Sequence, residues 1–261
     1  MNSALWAAKT GLDAQQTQMA VVANNLANVN TVGYKKSRGV FQDLYYQNVH
    51  QVGGSTSQQT LAPTGMNLGT GVQVMATEKL YTQGSLNQTG NSLDLAINGR
   101  GFFQVLTPDG TLAYTRDGSF QTNAQGQLVT ADGYPVQPAV TIPQGAQTVT
   151  IGNDGTVSVL TAGQTTPTTV GTVQLADFVN EAGLQPLGQN LLQASASSGT
   201  AQTANPGLAG MGTLQQGATE SSNVDVVEEM VNMIETQRAY EMNTKAIQTT
   251  DTMLQDLSTN L

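Results

Sequence analysis

Apolar residues recur at alternating spacings of three and four at both ends of the chain. From the N-terminus the row reads Leu5, Ala8, Leu12, Gln15, Met19, Val22, Leu26 and Val29, with Gln15 as its one polar member. That spacing predicts a helix over residues 1–32 with a narrow seam of coiled-coil period. Near the other end the row reads Val226, Met230, Met233, Gln237, Tyr240, Thr244, Ile247, Asp251 and Leu254, widened at its start by Val227, Val231 and Ile234. Ser222 or Asn223 can cap this second helix, expected over 222–261, and Asp225, Glu228 and Glu229 place negative charge at its positive end. No Gly or Pro interrupts 218–261, so about 35 residues can run as one helix roughly 50 Å long.

The middle follows a different rule. Across 94–175, within a central domain bounded at 76–193, short runs rich in Val, Thr, Tyr and Phe are separated by turn signals, with Asp-Gly at 109–110, 117–118, 132–133 and 154–155. Asp-Gly between such runs is a hairpin cue, so a central antiparallel β domain is expected. The fold class is mixed α and β, with the terminal helices pairing as a coiled coil. Two stretches show neither period. A connecting segment, 33–75, contains a polar, Gly-rich loop at 46–71; a second stretch, 194–221, reads as a return linker. A loop as long as the first is usually functional or disordered.

The end of the first helix poses its own question, because Asn24, Asn25 and Asn28 crowd it. Amides between packed helices cost stability but set register, since a slipped neighbour leaves them unpaired. The alternative is that they fray the helix into its loop. "NTVGY" then ends it: Gly33 is suited to the left-handed conformation, and Lys35, Lys36 and Arg38 follow near the negative end of the dipole.

Composition sharpens this picture. Only 10% of residues are charged and aromatics make up 5%, while 18 acids against 9 bases leave a net charge of −9. Solubility rests on Gln, Asn, Thr and Ser, a surface suited to close contact with further copies because few ions must be desolvated. The acidic balance argues against nucleic acid. Charge also segregates. Residues 1–38 carry Lys9, Lys35, Lys36 and Arg38 against Asp13, whereas 220–256 carry eight acids against Arg238 and Lys245. The two ends are complementary within one chain or between neighbours. The helices can instead lie on the β domain and complete its core, but a period near 3.5 over four heptads favours helix-on-helix contact. Ordering each residue costs about 1–2 kcal/mol, so both ends are expected to order fully only on assembly. The opening residues lack the pattern of a Sec-type signal peptide, and no apolar run is long enough to enter a membrane.

No catalytic reading survives. Cys is absent and His50 is the one histidine, set in the polar loop without a partner for ligand or base work. The Asp-Gly pairs lack the further acids of a calcium loop. "INGRGFF" (97–103) lacks the third glycine of a phosphate loop. Glu78 with Asp94 is the nearest acid pair for a hydrolase, and nothing frames it. No cofactor or metal is implied.

"GLDAQQTQMAVVANNLANVNTVGYKKSRGVFQDL" closely resembles the N-terminal signature of the bacterial flagellar rod and hook family, and "SNVDVVEEMVNMIETQRAYEMNTKAIQTTDTMLQ" its C-terminal segment. The central "GRGFFQVLTPDGTLAYTRDGSFQTNAQGQLVTADGYPVQP" resembles its β domain. Length, the 46–71 loop and the β domain point to the distal-rod branch; hook or proximal-rod membership is the alternative within the family, and a secreted β-domain binding module the alternative outside it. The resemblance implies a structural protein that polymerises with itself into a hollow shaft in the basal body, crossing the periplasm. The implied partners are the proximal rod and hook proteins, the surrounding ring proteins and the flagellar type III export apparatus. Terminal helices would form an inner layer through Leu5, Ala8, Leu12, Met19, Val22, Leu26 and Val29 and through Val227, Met230, Val231, Met233, Ile234, Tyr240, Ile247 and Leu254. The long loop, with Gln47, His50, Gln58, Leu61 and Pro63, would stiffen the shaft.

Overall fold

A computed structural model describes residues 3–53, 63–164 and 166–259. The chain divides into two compact units: residues 1–27, 37–78 and 225–261 form the first, and 28–36 with 79–224 form the second.

The first unit is built on two helices, α1 (Ser3–Ala27) and α2 (Val226–Thr259). They lie against one another and run antiparallel. Gly11 faces Asn243, so that a Cβ at Gly11 would come within 3.1 Å of the Asn243 amide nitrogen. Further along, Gln16 Nε2 donates to the Tyr240 hydroxyl at 3.4 Å, and Asn25 Nδ2 donates to Glu229 at 3.4 Å. The cap of α2 is Asp225 rather than Ser222 or Asn223: its Oδ1 accepts from the Val227 N–H at 2.8 Å and the Glu228 N–H at 3.3 Å. A carboxylate here satisfies two orphan donors and meets the positive end of the dipole. Asn223 is used elsewhere, accepting from the Lys36 N–H and donating to Leu80 O within the second unit.

Among the described residues, four strands complete the first unit: β1 (Ser37–Asp43), β2 (Tyr46–His50), β3 (Met66–Gly69) and β4 (Val72–Lys79). β1 pairs with β4, bridged on the surface by Arg38 and Glu78 at 2.9 Å. β2 pairs antiparallel with β3, Tyr46 opposite Gly69 and His50 opposite Met66. The ends of the expected 46–71 loop are therefore a β-ladder. Every residue of both strands is exposed, so neither face selects apolar residues and the period-2 signal never arises.

The second unit is antiparallel β. Its main sheet has the strand order Gln185–Gly188, Leu191–Gln193, Leu112–Thr115, Phe102–Leu106, Leu175–Asp177 and Gln202–Ala204, with Val136–Gln137 also paired to Phe102–Leu106. A three-stranded sheet of Ala146–Ile151, Thr156–Thr161 and Thr168–Thr172 stands beside it. Phe102–Leu106 is buried on both faces. Phe103 and Val105 enter a large cluster with Leu95, Ile97, Phe120 and Leu214, where Phe103 meets Phe120 edge-on at 5.0 Å. Phe102 turns the other way, into a cluster with Tyr114, Phe178 and Leu192. Edge-on rings add about 0.5–1.5 kcal/mol per pair to the area term.

Asp-Gly turns do join strands at 109–110 and 154–155. Asp117-Gly118 is no hairpin: Asp117 Oδ1 holds Ser119, and a Cβ at Gly118 would fall on Leu95 O, so this glycine serves close backbone approach. The stretch expected as a return linker also belongs to the β unit. Thr213–Gln216 pairs with Leu95–Asn98, and Ala218–Glu220 with Leu86–Gln88, burying Met211, Leu214 and Ala218.

Candidate functional site: the surfaces of the helical pair and the hairpin

The candidate packing residues sort by what each helix already touches. On α1, Val22 is buried, while Leu5, Ala8, Leu12, Met19 and Leu26 are half-buried. Val29 lies beyond α1, which stops at Ala27, in the turn that leads to Gly33. Gly33 has the left-handed conformation expected of it, with φ +69°. A Cβ there would lie 2.7 Å from the backbone of Arg116 and Asp117. Periodicity from Leu5 missed a second row on α1, Ala14, Gln18, Val22 and Asn25. It runs along the strands: a Cβ at Gly39 would touch Gln18, and Asn25 holds Ser37. Its spacing of four, four and three was legible, but two of its members are amides.

Asn25 is 1% exposed and ties three elements together. Its side-chain amide donates to Ser37 O at 2.8 Å and accepts from Ser37 N–H at 2.9 Å, the pattern of a ladder partner, and also donates to Glu229 on α2. The amide is thus used inside the chain. Asn24 is exposed, and Asn28 Oδ1 accepts from the Thr31 hydroxyl at 3.2 Å in the turn after α1.

α2 meets α1 with a mixed row. Glu229 and Thr236 are buried, and Met233, Tyr240, Asn243 and Ile247 are half-buried. Thr236 tolerates this because its hydroxyl bonds Asn232 O in its own helix at 2.6 Å. The more apolar row is left in water: Val227, at 71% exposed, with Met230, Val231 and Ile234. The side chain of Leu254 lies outside those described. So do Gln58 and Leu61. Gln47, His50 and Pro63 are exposed, on or beside a hairpin that also presents Tyr46, Val49, Met66 and Leu68 to solvent, next to Tyr45 at 93% exposed.

Two bases of the cluster after α1, Lys35 and Arg38, pair with acids rather than with the helix end. Lys35 is buried against Glu220 at 2.5 Å, and Arg116 approaches the other carboxylate oxygen at 3.2 Å. Glu220 Oε1 also accepts from the Gly84 N–H at 2.9 Å. Burial lowers the pKa of Lys35 despite this pairing, because one carboxylate is shared by two cations and Arg116 repels Lys35. These partners lie 185 positions apart, so no local signal reveals them.

Neither acid of the hydrolase pair is poised for chemistry: Glu78 is held by Arg38, while Asp94 accepts from the Thr89 hydroxyl and the Asn91 amide. Among the described residues no cluster of His, Cys, Asp and Glu has metal-ligand geometry, and no helix is long and apolar enough to cross a membrane.

Three family profiles match the chain. One described as flagella basal body rod protein covers residues 5–35, one described as flagellar hook protein FlgE/F/G D1 domain covers 96–159, and one described as flagellar basal body rod FlgEFG protein C-terminal covers 215–260. They fall on α1, the β unit and α2, and they define the class: structural proteins of the flagellar rod and hook. Relatives called flagellar basal-body rod protein FlgG are 55% identical in Buchnera aphidicola subsp. Schizaphis graminum, 50% in Caulobacter vibrioides and 41% in Bacillus subtilis. Each match spans 98–99% of both chains. The chain belongs to the flagellar basal-body rod protein family, a family of structural proteins and not of enzymes.

Proposed function

We propose that the chain is a structural subunit of the distal rod, polymerising into a rigid hollow shaft that carries torque to the hook and surrounds the export channel. The observation that supports this most strongly is the division of labour on α2. It meets α1 through Glu229, Thr236 and Asn243 and keeps Val227, Met230, Val231 and Ile234 in solvent. Full burial of such side chains is worth about 1.5–3 kcal/mol each, and a continuous exposed apolar row on a helix is an interaction surface. Repeated contacts of this kind between different faces of identical subunits build an open filament when the rotation from copy to copy does not close a ring.

In this reading the terminal helices of neighbouring subunits pair as coiled coils in an inner layer, with the β unit outside. The 46–71 segment, for which Gln47, His50, Gln58, Leu61 and Pro63 are the candidate residues, reaches an adjacent subunit and stiffens the shaft. The rod occupies the basal body and crosses the periplasm, meeting proximal rod and hook proteins at its ends and ring proteins around it. Subunits arrive through the type III export apparatus.

Ile234→Asp tests the interface. Ile234 lies off the row that meets α1, so the circular dichroism of the monomer should be retained while sedimentation and electron microscopy show filaments lost. Normal filaments from this variant overturn the assignment of the row.

A further inference from the structure

The second unit is bounded along the chain at Asn28, Lys36, Lys79 and Val224. Three of these four ends fall on one network of hydrogen bonds inside that unit. Asn223 lies at its centre. Its Oδ1 accepts from the Lys36 N–H at 2.7 Å, while its Nδ2 donates to Leu80 O at 2.8 Å and to the Thr82 hydroxyl at 2.9 Å. The Leu80 N–H in turn donates to Lys36 O at 2.9 Å.

The same three segments meet again around Glu220. Its carboxylate takes Lys35 and the Gly84 N–H, and its backbone oxygen accepts from the Gly33 N–H at 2.8 Å. Lys35 Nζ also donates to Thr82 O at 2.8 Å. Residues 33–36, 80–84 and 220–223 are thus each tied to both of the others. Gly84 shows how closely they run: a Cβ there would fall on Ser221 O, so any side chain would push two of the segments apart. An Asn side chain offers one carbonyl oxygen and two N–H donors on a short stem, and at Asn223 all are used. Asn223 itself is half-buried and enters neither apolar cluster, so its bonds add nothing to the core of the unit.

We propose that Asn223 pins three outgoing connections of the second unit into one junction that opens and closes as a single body. In the shaft reading, force entering or leaving the β unit is then shared among three backbones instead of running down one. That use rests on the polymer reading, and the joint opening does not.

Native-state hydrogen exchange on the full chain at monomeric concentration tests the joint opening. Asn223→Ala should speed exchange at the Gly33, Leu80, Gly84 and Ser221 N–H groups, none of which bonds Asn223, by one common factor of about tenfold. Phe102–Leu106 should exchange as in the parent. Asn223→Asp keeps the acceptor for the Lys36 N–H and loses both donors, so Lys36 should be freed along with the rest. Three results overturn the proposal: a change at Lys36 alone in Asn223→Ala, an equal change at Phe102–Leu106, or a Lys36 that stays protected in Asn223→Asp. The bonds would then act singly, or only stabilise the unit as a whole. Persistence length in electron micrographs reads the mechanical use, with more pliant Asn223→Ala filaments expected. Equal stiffness beside joint exchange overturns the sharing of force, whereas a parent chain that forms no filament overturns the shaft reading and leaves the junction standing.

Discussion

Replacing Glu220 with Gln removes the one negative charge between two buried cations while keeping the shape of the side chain. The Lys35 and Arg116 side chains are each 3% exposed and Glu220 is fully covered, so water cannot take over the lost interaction. Breaking a buried ion pair by removing one partner costs about 3–5 kcal/mol, because a charge stays buried without its counter-ion. Lys35 has one escape, which is to lose its proton. From an ordinary pKa of 10.5, deprotonation near pH 7 costs about 5 kcal/mol at 1.36 kcal/mol per unit, so the escape caps the loss without removing it. Arg116 has no such route but retains Gly99 O and the Phe102 ring, 5.3 Å from its guanidinium. The expected outcome is a loss of about 3–5 kcal/mol in the second unit. Native-state hydrogen exchange of Phe102–Leu106 reads it, because the strand lies at the core of that unit and exchange does not require the whole chain to unfold in one step. A change below about 1 kcal/mol would show that the cluster is hydrated in solution, and the reasoning from burial would fail.

Three further outcomes are expected. Asn25→Ala removes both bonds to Ser37 and should cost about 1–3 kcal/mol, seen as faster amide exchange at the start of β1; unaltered protection would show that the amide does not hold the strand. Deleting residues 48–65 removes Asn48, Val49 and His50 of β2 and the segment leading to β3, and should leave polymers that are curved or more pliant, judged by persistence length in electron micrographs; equal stiffness would count against a stiffening role for this segment. Burial lowers the pKa of Lys35 below 10.5 in the folded state, so the unfolded chain binds more protons between the folded pKa and 10.5, and this group's contribution to stability rises with pH across that window. Lys35→Met should flatten that rise in urea titrations at mildly alkaline pH.

Much of the architecture was legible because it is written in local period. Leu5 to Leu26 marks α1, the Gly- and Pro-free stretch from 218 marks α2, and Asp-Gly at 109–110 and 154–155 marks true turns. Gly33 was legible for the same reason, since "NTVGY" is a helix-ending signal in itself. Other parts had no local mark. Thr213–Gln216 and Ala218–Glu220 become strands because Leu95–Asn98 and Leu86–Gln88 lie beside them, and their Gly-, Gln- and Thr-rich surroundings resemble a linker in isolation. The hairpin of β2 and β3 buries neither face and so leaves no alternation to read.

The sequence alone determined that two helices bracket an antiparallel β unit, that the chain ends are oppositely charged, and that no catalytic cluster is spelled out along it. Only the tertiary structure decided which face of α2 is spent within the chain. Two rows there are apolar enough to serve, and the choice went to the one carrying Glu229 and Thr236, because Asn25 and the helix's own carbonyls satisfy those polar groups. It decided likewise that Lys35 belongs to Glu220 rather than to a helix end. Periodicity is a property of neighbours along the chain, whereas the pairing of charges and the choice among competing faces depend on residues brought together from far apart.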